Sequence, residues 1–307
     1  MTAPFIPMPS PMEHISVCIC TFKRPDLLLR LLDTLRQQRT DGRFTYSVVV
    51  ADNDRDESAR STVEAFAAGS IVETKYCMEP TPNIALARNK VVQNARGDYL
   101  AFIDDDEFPE ADWLFQMWQT CNAHGAAGVL APVLPHYEVE PPAWVKRAKF
   151  YDRPRHATGL VMAWQKSRTG NVLLRRKILD GLEQVFTPAF GAGGEDLDFF
   201  RRMNAAGHTF IWCDEAPAYE TVPPHRWGRR FLIHRALLRG QTTFRHPKNR
   251  LKNIAKSLVA VPLYVIALPF LLIAGHHLFM KYLIRLFDHV GRLLALLRLN
   301  PVQERRH

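Results

Sequence analysis

The sequence predicts an α/β protein with a mostly parallel sheet, continued by a helical extension directed to a membrane surface. Three observations carry this prediction. Short runs of apolar, β-branched residues alternate with helix-like patterns, the signature of strands buried on both faces between helices. Two of those runs end abruptly in acids. The basic charge, finally, is confined to the last part of the chain, next to a long uncharged segment.

His14 to Thr21 reads as the first strand, followed by Phe22-Lys23-Arg24-Pro25 and a helical pattern through Leu27, Leu28, Leu31, Leu32 and Leu35. Tyr46 to Ala51 is a second apolar strand, stopping at Asp52-Asn53-Asp54-Arg55-Asp56-Glu57. A third strand is expected at Ile71 to Tyr76, then a Pro-rich turn and a helix over Ala85 to Asn94. Tyr99 to Ile103 ends at Asp104-Asp105-Asp106-Glu107. Further strands are expected at Gly128 to Pro132 and Gly170 to Leu174. Gly191-Ala192-Gly193-Gly194 then opens a helix that begins Glu195-Asp196-Leu197-Asp198. Ligands of open α/β sheets gather at the carboxyl ends of the strands, so the acidic clusters mark the active edge.

From Met1 to Glu220 the chain has 24 Lys and Arg against 29 Asp and Glu, a balance of −5; from Thr221 onward it has 16 against 2, a balance of +14. Arg226 to Lys256 carries ten basic residues and no acid. Ser257 to Met280 then has no Asp, Glu, Lys or Arg over 24 residues, where about 20 apolar residues suffice to cross a bilayer. A nucleic-acid arm needs no such stretch, so the tail points to membrane lipid and not to nucleic acid. Lys281, Arg285, Arg292 and Arg298 make the far side basic too, and Pro262 and Pro269 interrupt the run. These features favour a re-entrant or in-plane helix pair, with Lys281 to Leu299 lying amphipathically in the interface; the alternative is a buried helix pair. Five scattered cysteines with no C-x-x-C pair indicate reduced thiols. Residues 1–13, with four prolines by residue 11 and no basic start or apolar run, are expected to be a disordered lead-in and not a signal peptide.

Asp104 and Asp106 lie two apart at a strand end, so in extended geometry they leave on the same side and can converge on one cation. Oxygen ligands favour Mg²⁺ or Mn²⁺, and a site of one or two carboxylates leaves positions for substrate phosphates. A plain turn is the competing explanation of the triplet. For Glu195, Asp196 and Asp198 it is stabilisation of a helix N-terminus by anions.

With these motifs in order, the chain resembles family 2 glycosyltransferases of the GT-A fold, inverting enzymes that use nucleotide sugars, over about His14 to Gly240. Ser16 to Arg24 resembles the family's opening strand and turn, which implies donor-binding roles for Thr21 and Arg24. Val48 to Asp54 resembles its second strand, with Asp52 and Asp54 facing the base or ribose. Asn83-Ile84-Ala85-Leu86-Ala87-Arg88-Asn89 resembles the Ala-Arg-Asn segment, with Arg88 holding the nucleotide. Phe102 to Asp106 matches the Asp-x-Asp motif, placing Asp104 and Asp105 at the donor and Asp106, with Asp104, on the metal. Thr169-Gly170-Asn171 resembles the strand beside the acceptor, and Asp198 joins Gly170 and Asn171 there. Gly194-Glu195-Asp196 resembles the motif whose Asp is the general base, so Asp196 and Glu195 are the catalytic candidates.

His225, in Pro223-Pro224-His225-Arg226-Trp227, is a candidate metal residue because some relatives use a late His; a lone His is more often structural. Trp227 is expected to pack. The implied organisation is 14–225 as the catalytic domain (14–110 for the nucleotide sugar, 111–225 for the acceptor) and 226–307 as membrane-associating helices. The implied reaction adds one sugar, from a nucleotide-diphosphate donor such as a UDP-sugar, to a glycan or lipid-linked glycan at the cytoplasmic face of a membrane. Pro223 stands where processive synthases carry Gln or Arg in the Gln/Arg-x-x-Arg-Trp motif. A nucleotidyltransferase is the rival enzyme, but Thr21-Phe22-Lys23-Arg24-Pro25 has no glycine for a phosphate loop. A non-catalytic membrane-surface protein is the third reading, opposed by the presence of Asp104, Asp106 and Asp196.

Overall fold

The computed structural model describes residues 12–191, 193–245, 250–297 and 299. The chain forms two compact units, Met1–Leu134 with Arg153–Glu220, and Pro135–Asp152 with Thr221–His307. The division is finer than the boundary expected near residue 225, because the second unit also takes the segment from Pro135 to Asp152. Most of the expected lead-in lies outside the described residues, and Glu13 already belongs to the first strand.

In chain order the first unit begins with β1 (Glu13–Thr21), α1 (Pro25–Thr34), β2 (Phe44–Asp52), α2 (Arg60–Ala68), β3 (Thr74–Met78), α3 (Ile84–Asn94) and β4 (Tyr99–Ile103). It continues through β5 (Glu107–Pro109), α4 (Trp113–Ala123), β6 (Gly128–Leu130) and the start of β7 (Val133–His136). The second unit's α5 (Ala143–Ala148) intervenes before β8 (Asn171–Arg175), α6 (Glu195–Ala205), β9 (Phe210–Trp212) and β10 (Ala218–Thr221). Helices α7 (Arg229–Arg245), α8 (Arg250–Ala274) and α9 (His276–Leu296) complete the second unit.

Seven strands form one sheet in the order β3-β2-β1-β4-β8-β6-β9. β1 pairs in parallel with both β2 and β4, so the ends of all three strands open on the same edge. β8 runs antiparallel to β4 and β6, which makes the sheet mostly, not wholly, parallel. A small antiparallel pairing of β5 with β10, not anticipated from the sequence, lies beside the edge. β3 starts at Thr74, three residues later than the expected Ile71; Ile71 is fully exposed, and the register with β2 begins at Val48 opposite Thr74.

Both faces of the sheet are covered. On one, Leu28, Leu31 and Leu32 of α1 and Trp113 of α4 are buried against Val17, Ile19 and Val50; on the other, Phe199 and Phe200 of α6 lie with Leu100, Phe102 and Val172. Each such side chain contributes about 1.5–3 kcal/mol by leaving water, which fixes the strand ends and hence the acids they carry.

In the second unit Val145, Tyr151, Trp227, Leu232, Ala236 and Ile284 form a separate core. Trp227 packs there as expected, its ring edge-on to Tyr137. Among the described residues one helical segment, Asn253–Ala274, is long and apolar enough to cross a membrane, with mean hydropathy 2.4 and only 6% of its most apolar window buried. Met280, Ile284, Leu286 and His289 of α9 are buried within this unit, so the stretch expected to lie amphipathically in an interface, Lys281 to Leu299, has one face packed on protein.

Candidate active site

The site starts from the register of β1 and β4. Pairing of Cys18 with Phe102 brings the end of β1 beside the acids at the end of β4. Thr21 Oγ1 donates to Asp105 Oδ2 at 2.8 Å, and Arg24, in the turn before α1, donates to Asp105 Oδ1 at 3.2 Å and to Asp106 Oδ2 at 3.4 Å. Burial pushes the Asp105 carboxyl up to about 6, with Asp106 adding to the rise while Arg24 and Thr21 oppose it. Asp105 is therefore clamped from below, and its neighbours on either side, Asp104 and Asp106, remain partly open to solvent.

Arg88 comes from the middle of α3, whose start is fixed by Asn83: its Oδ1 accepts from the amides of Ala85 and Leu86 at 3.0 and 3.2 Å. The buried guanidinium of Arg88 donates to Glu195 and, at 3.5 Å, to Asp104 Oδ1. Glu195 is the first residue of α6, so one cation ties α3, the end of β4 and the start of α6 together. Burial raises the Glu195 carboxyl and Arg88 lowers it; its second oxygen, Oε2, is buried without a partner. Asp196 is more open. Its Oδ1 accepts from the Leu197 amide at 2.7 Å, and Arg168 Nε stands 3.8 Å from its Oδ2.

Sequence reasoning passed over Glu107 as a functional residue. It is buried, its Oε2 has no partner, and burial reinforced by Asp104 holds its carboxyl well above the usual carboxylate range. Gly170 makes this crowding possible: a Cβ there would sit 3.1 Å from both Asp104 Oδ2 and Glu107 Oε1. An acid continuing the Asp triplet was the available signal, and its burial was not legible because β5 is only three residues long. Arg153, paired with Glu220, supplies positive potential toward both Asp104 and Glu107.

Asp52, Asn171 and Asp198 use polar atoms inside the scaffold. Asp52 is completely buried and accepts from the Asp54 amide at 3.1 Å, the Ala59 amide at 2.8 Å and the Tyr76 hydroxyl at 3.2 Å. With these contacts Asp52 organises the turn after β2. Asp54 is also buried, accepting from the Asp56 amide at 3.2 Å with Lys23 3.8 Å away. Asn171, expected at the acceptor, accepts from Trp113 Nε1 at 2.8 Å and donates to the carbonyls of Pro132 and Ala216, both at 3.0 Å. Asp198, also expected there, is buried and held by Thr187, Arg201 and Arg202. These hydrogen bonds tie both residues into the scaffold. His225 falls in the second unit, on the 3-10 turn Pro224–Trp227, with its ring edge-on to Phe231.

The donor set suits a hard divalent cation. Asp104 and Asp106 offer oxygen only, and their cationic neighbours Arg88 and Arg24 stand at the long distances of 3.5 and 3.4 Å. No group of three or more His, Cys, Asp or Glu suited to a metal occurs among the described residues. A site of one or two carboxylates would leave coordination positions on such an ion to phosphates.

The site is thus a strand-end acid cluster tied by a buried arginine to the acids of a later helix, above a mostly parallel sheet. The sequence profile of glycosyl transferase family 2 matches residues 16–182, and the chain belongs to that family. It is 39% identical over 239 residues to the succinoglycan biosynthesis protein ExoM of Rhizobium meliloti (strain 1021), covering 76% of this chain and 75% of that one. Among solved structures, S. aureus TarS 1-349 in complex with UDP superposes with a TM-score of 0.54 at 15% identity, over 92% of this chain and 90% of that one. GalNAc-T7 with UDP, GalNAc and Mn²⁺ gives 0.53 at 12% identity over 73% of this chain, which spans 48% of its length. At these identities the two structures establish the GT-A fold and no more.

Proposed function

We propose that the protein transfers a single sugar, with inversion, from a UDP-type nucleotide sugar to a hydroxyl of a glycan acceptor during cell-surface polysaccharide assembly. The acceptor is lipid-linked and is met at the cytoplasmic face of the membrane. The observation that carries this reading is Arg88 joining the acids after β4 to the Glu195-Asp196 start of α6, since donor activation and acceptor deprotonation must occur on opposite faces of one sugar. The name of ExoM, with its polysaccharide product, and the UDP in the TarS and GalNAc-T7 structures support the choice of reactants.

In this reading Asp196 accepts the proton of the acceptor hydroxyl as its oxygen attacks the anomeric carbon, and the bond from that carbon to the β-phosphate oxygen breaks. Glu195, held by Arg88, sets the start of α6 and so the position of Asp196. Thr21 and Arg24 fix Asp105, and Arg24, Asp54, Arg88 and Asp104 form the donor side. Gly170 gives the reacting groups room beside Asp104. Bound on Asp106 and Asp104, a Mg²⁺ or Mn²⁺ ion would neutralise the departing diphosphate. The role of His225 at that ion rests on the sequence alone.

A panel of nucleotide sugars with and without chelator tests the reading. Release of nucleoside diphosphate, dependent on Mg²⁺ or Mn²⁺ and on a glycan acceptor, is expected. Release of pyrophosphate from a nucleoside triphosphate and a sugar phosphate would assign the protein to the nucleotidyltransferases instead.

A further inference from the structure

Helix α8 presents one uninterrupted apolar stripe. Val259, Leu263, Ile266, Phe270 and Ile273 recur at spacings of four and three residues, which keeps them on one side of a helix, and they are 62, 60, 66, 69 and 87% exposed. Exposed apolar stripes of this length mark an interaction surface. We propose that the stripe docks the second unit in the plane of a single anionic membrane leaflet, with α8 lying along the interface and not crossing. The proposal rests on the membrane placement given above and specifies its geometry.

Length alone permits a crossing, since the 25 residues of α8 span about 38 Å against a hydrocarbon core of about 30 Å. Packing decides against it. The opposite side of α8 lies along α9, which runs back antiparallel: Ser257 Oγ is 2.9 Å from His289 Nδ1, and the Tyr264 ring meets those of Tyr282 and His289. α9 in turn is fixed to α7 backbone against backbone. A Cβ at Gly240 would collide with the carbonyl of Asp288, and one at Gly291 with the carbonyl of Leu237. Arg239 Nε donates to Asp288 Oδ1 at 2.8 Å across the same crossing. At the other end of α9, His276 is held by the Trp144 ring and lies 3.3 Å from Arg229 Nη2. Threading α8 through a bilayer would draw α9 with it, bringing Lys281, Arg285, Asp288 and Arg292 to membrane depth.

The prolines agree. Pro262 and Pro269 have no N–H, so the carbonyls of Leu258 and Val265, four residues earlier, lack their helical donors. Leu258 and Val265 are both exposed. In the interface water and headgroups satisfy such carbonyls; in hydrocarbon nothing on that side would. Charge selects the lipid: Lys256 and Arg285 are exposed, and the chain from Thr221 onward has 16 basic residues and 2 acids.

The test uses the full chain with phosphatidylcholine vesicles made with and without phosphatidylglycerol. Partitioning is expected only with the anionic lipid and is expected to weaken with salt. Nitroxides attached at Val259, Ile266 and Ile273 in turn, with the signal of the native cysteines subtracted, should all report the same shallow depth. Ile266→Glu with Phe270→Glu should reduce partitioning tenfold or more while leaving turnover of a soluble acceptor unchanged. A depth that runs from one surface at Val259 through the bilayer centre to the other at Ile273 would overturn the in-plane geometry and leave the membrane placement standing. Equal binding to neutral vesicles would overturn the selection of anionic lipid. No partitioning into either vesicle, with a dimer in sedimentation that the double substitution dissociates, would defeat both and assign the stripe to a second copy of the chain.

Discussion

Strands β2 and β4 both run out of apolar residues into a cluster of acids, and the two clusters have opposite fates. After β2, Asp52 is sealed: two backbone amides and the Tyr76 hydroxyl consume its oxygens, while Asn53 donates to the carbonyls of Glu79 and Thr81. After β4, Asp105 is held by Thr21 and Arg24, and it divides two carboxylates that stay partly open to solvent. The difference comes from the element that succeeds each strand. Behind β2 the chain turns directly into α2, whose first amides need an acceptor. Behind β4 it turns into the short β5, and Gly170 on β8's approach leaves room for Asp104 and Glu107 side by side. An acid that satisfies buried amides stabilises the fold, whereas one partly open to solvent can still meet a ligand.

The sharpest way to break this comparison is to neutralise one acid in each cluster. Asp106→Asn is expected to lower turnover by about 10³-fold, with the melting temperature and far-UV spectrum unchanged. Full activity of that variant in chelator would remove the metal from the β4 cluster. Asp196→Asn is expected to lose about 10²-fold in kcat with donor affinity nearly intact; lost donor affinity at constant kcat would move the base to Glu195. Asp52→Ala should do the reverse of both. It strands three buried donors and should cost about 3 kcal/mol by urea denaturation, while the folded fraction keeps its donor KM. A raised donor KM without loss of stability would return Asp52 to the ligand.

A smaller effect sharpens the contrast within α6, where Asp196 is open and Asp198 is sealed. Burial tends to raise the Asp198 carboxyl, but the hydrogen bonds from Arg201, Thr187 and Arg202 outweigh it and hold the group below its ordinary value of 3.8. The stability it contributes is therefore present above about pH 4 and is lost as pH falls through the depressed value. Asp198→Asn should destabilise the protein at pH 7, and the difference from the parent chain should shrink below about pH 3 in thermal melts. A difference independent of pH would show that Asp198 acts by packing alone.

Much of this protein was determined by sequence. The alternation of buried strands with helices and the acids at strand ends were legible because periodicity and adjacency are local properties, whereas the order from Thr21 through Arg88 and Asp104 to Asp196 was read from its resemblance to the family's motifs. So were the charge asymmetry and the apolar run at Ser257 to Met280. The tertiary structure alone decided which of the acids are spent. Asp52, Asn171 and Asp198 look as available as Asp106 and Asp196 in the sequence, and only folding brings the Ala59 amide, Trp113 Nε1 and Arg202 to them. The same holds for Glu107 and for α9. Burial of the first depends on a glycine 63 positions away in the chain, and that of the second on Gly240 and Gly291 meeting across two helices. Local pattern states what a residue can do, but hydrogen-bond partners and close packing are long-range, and they determine what is left for it to do.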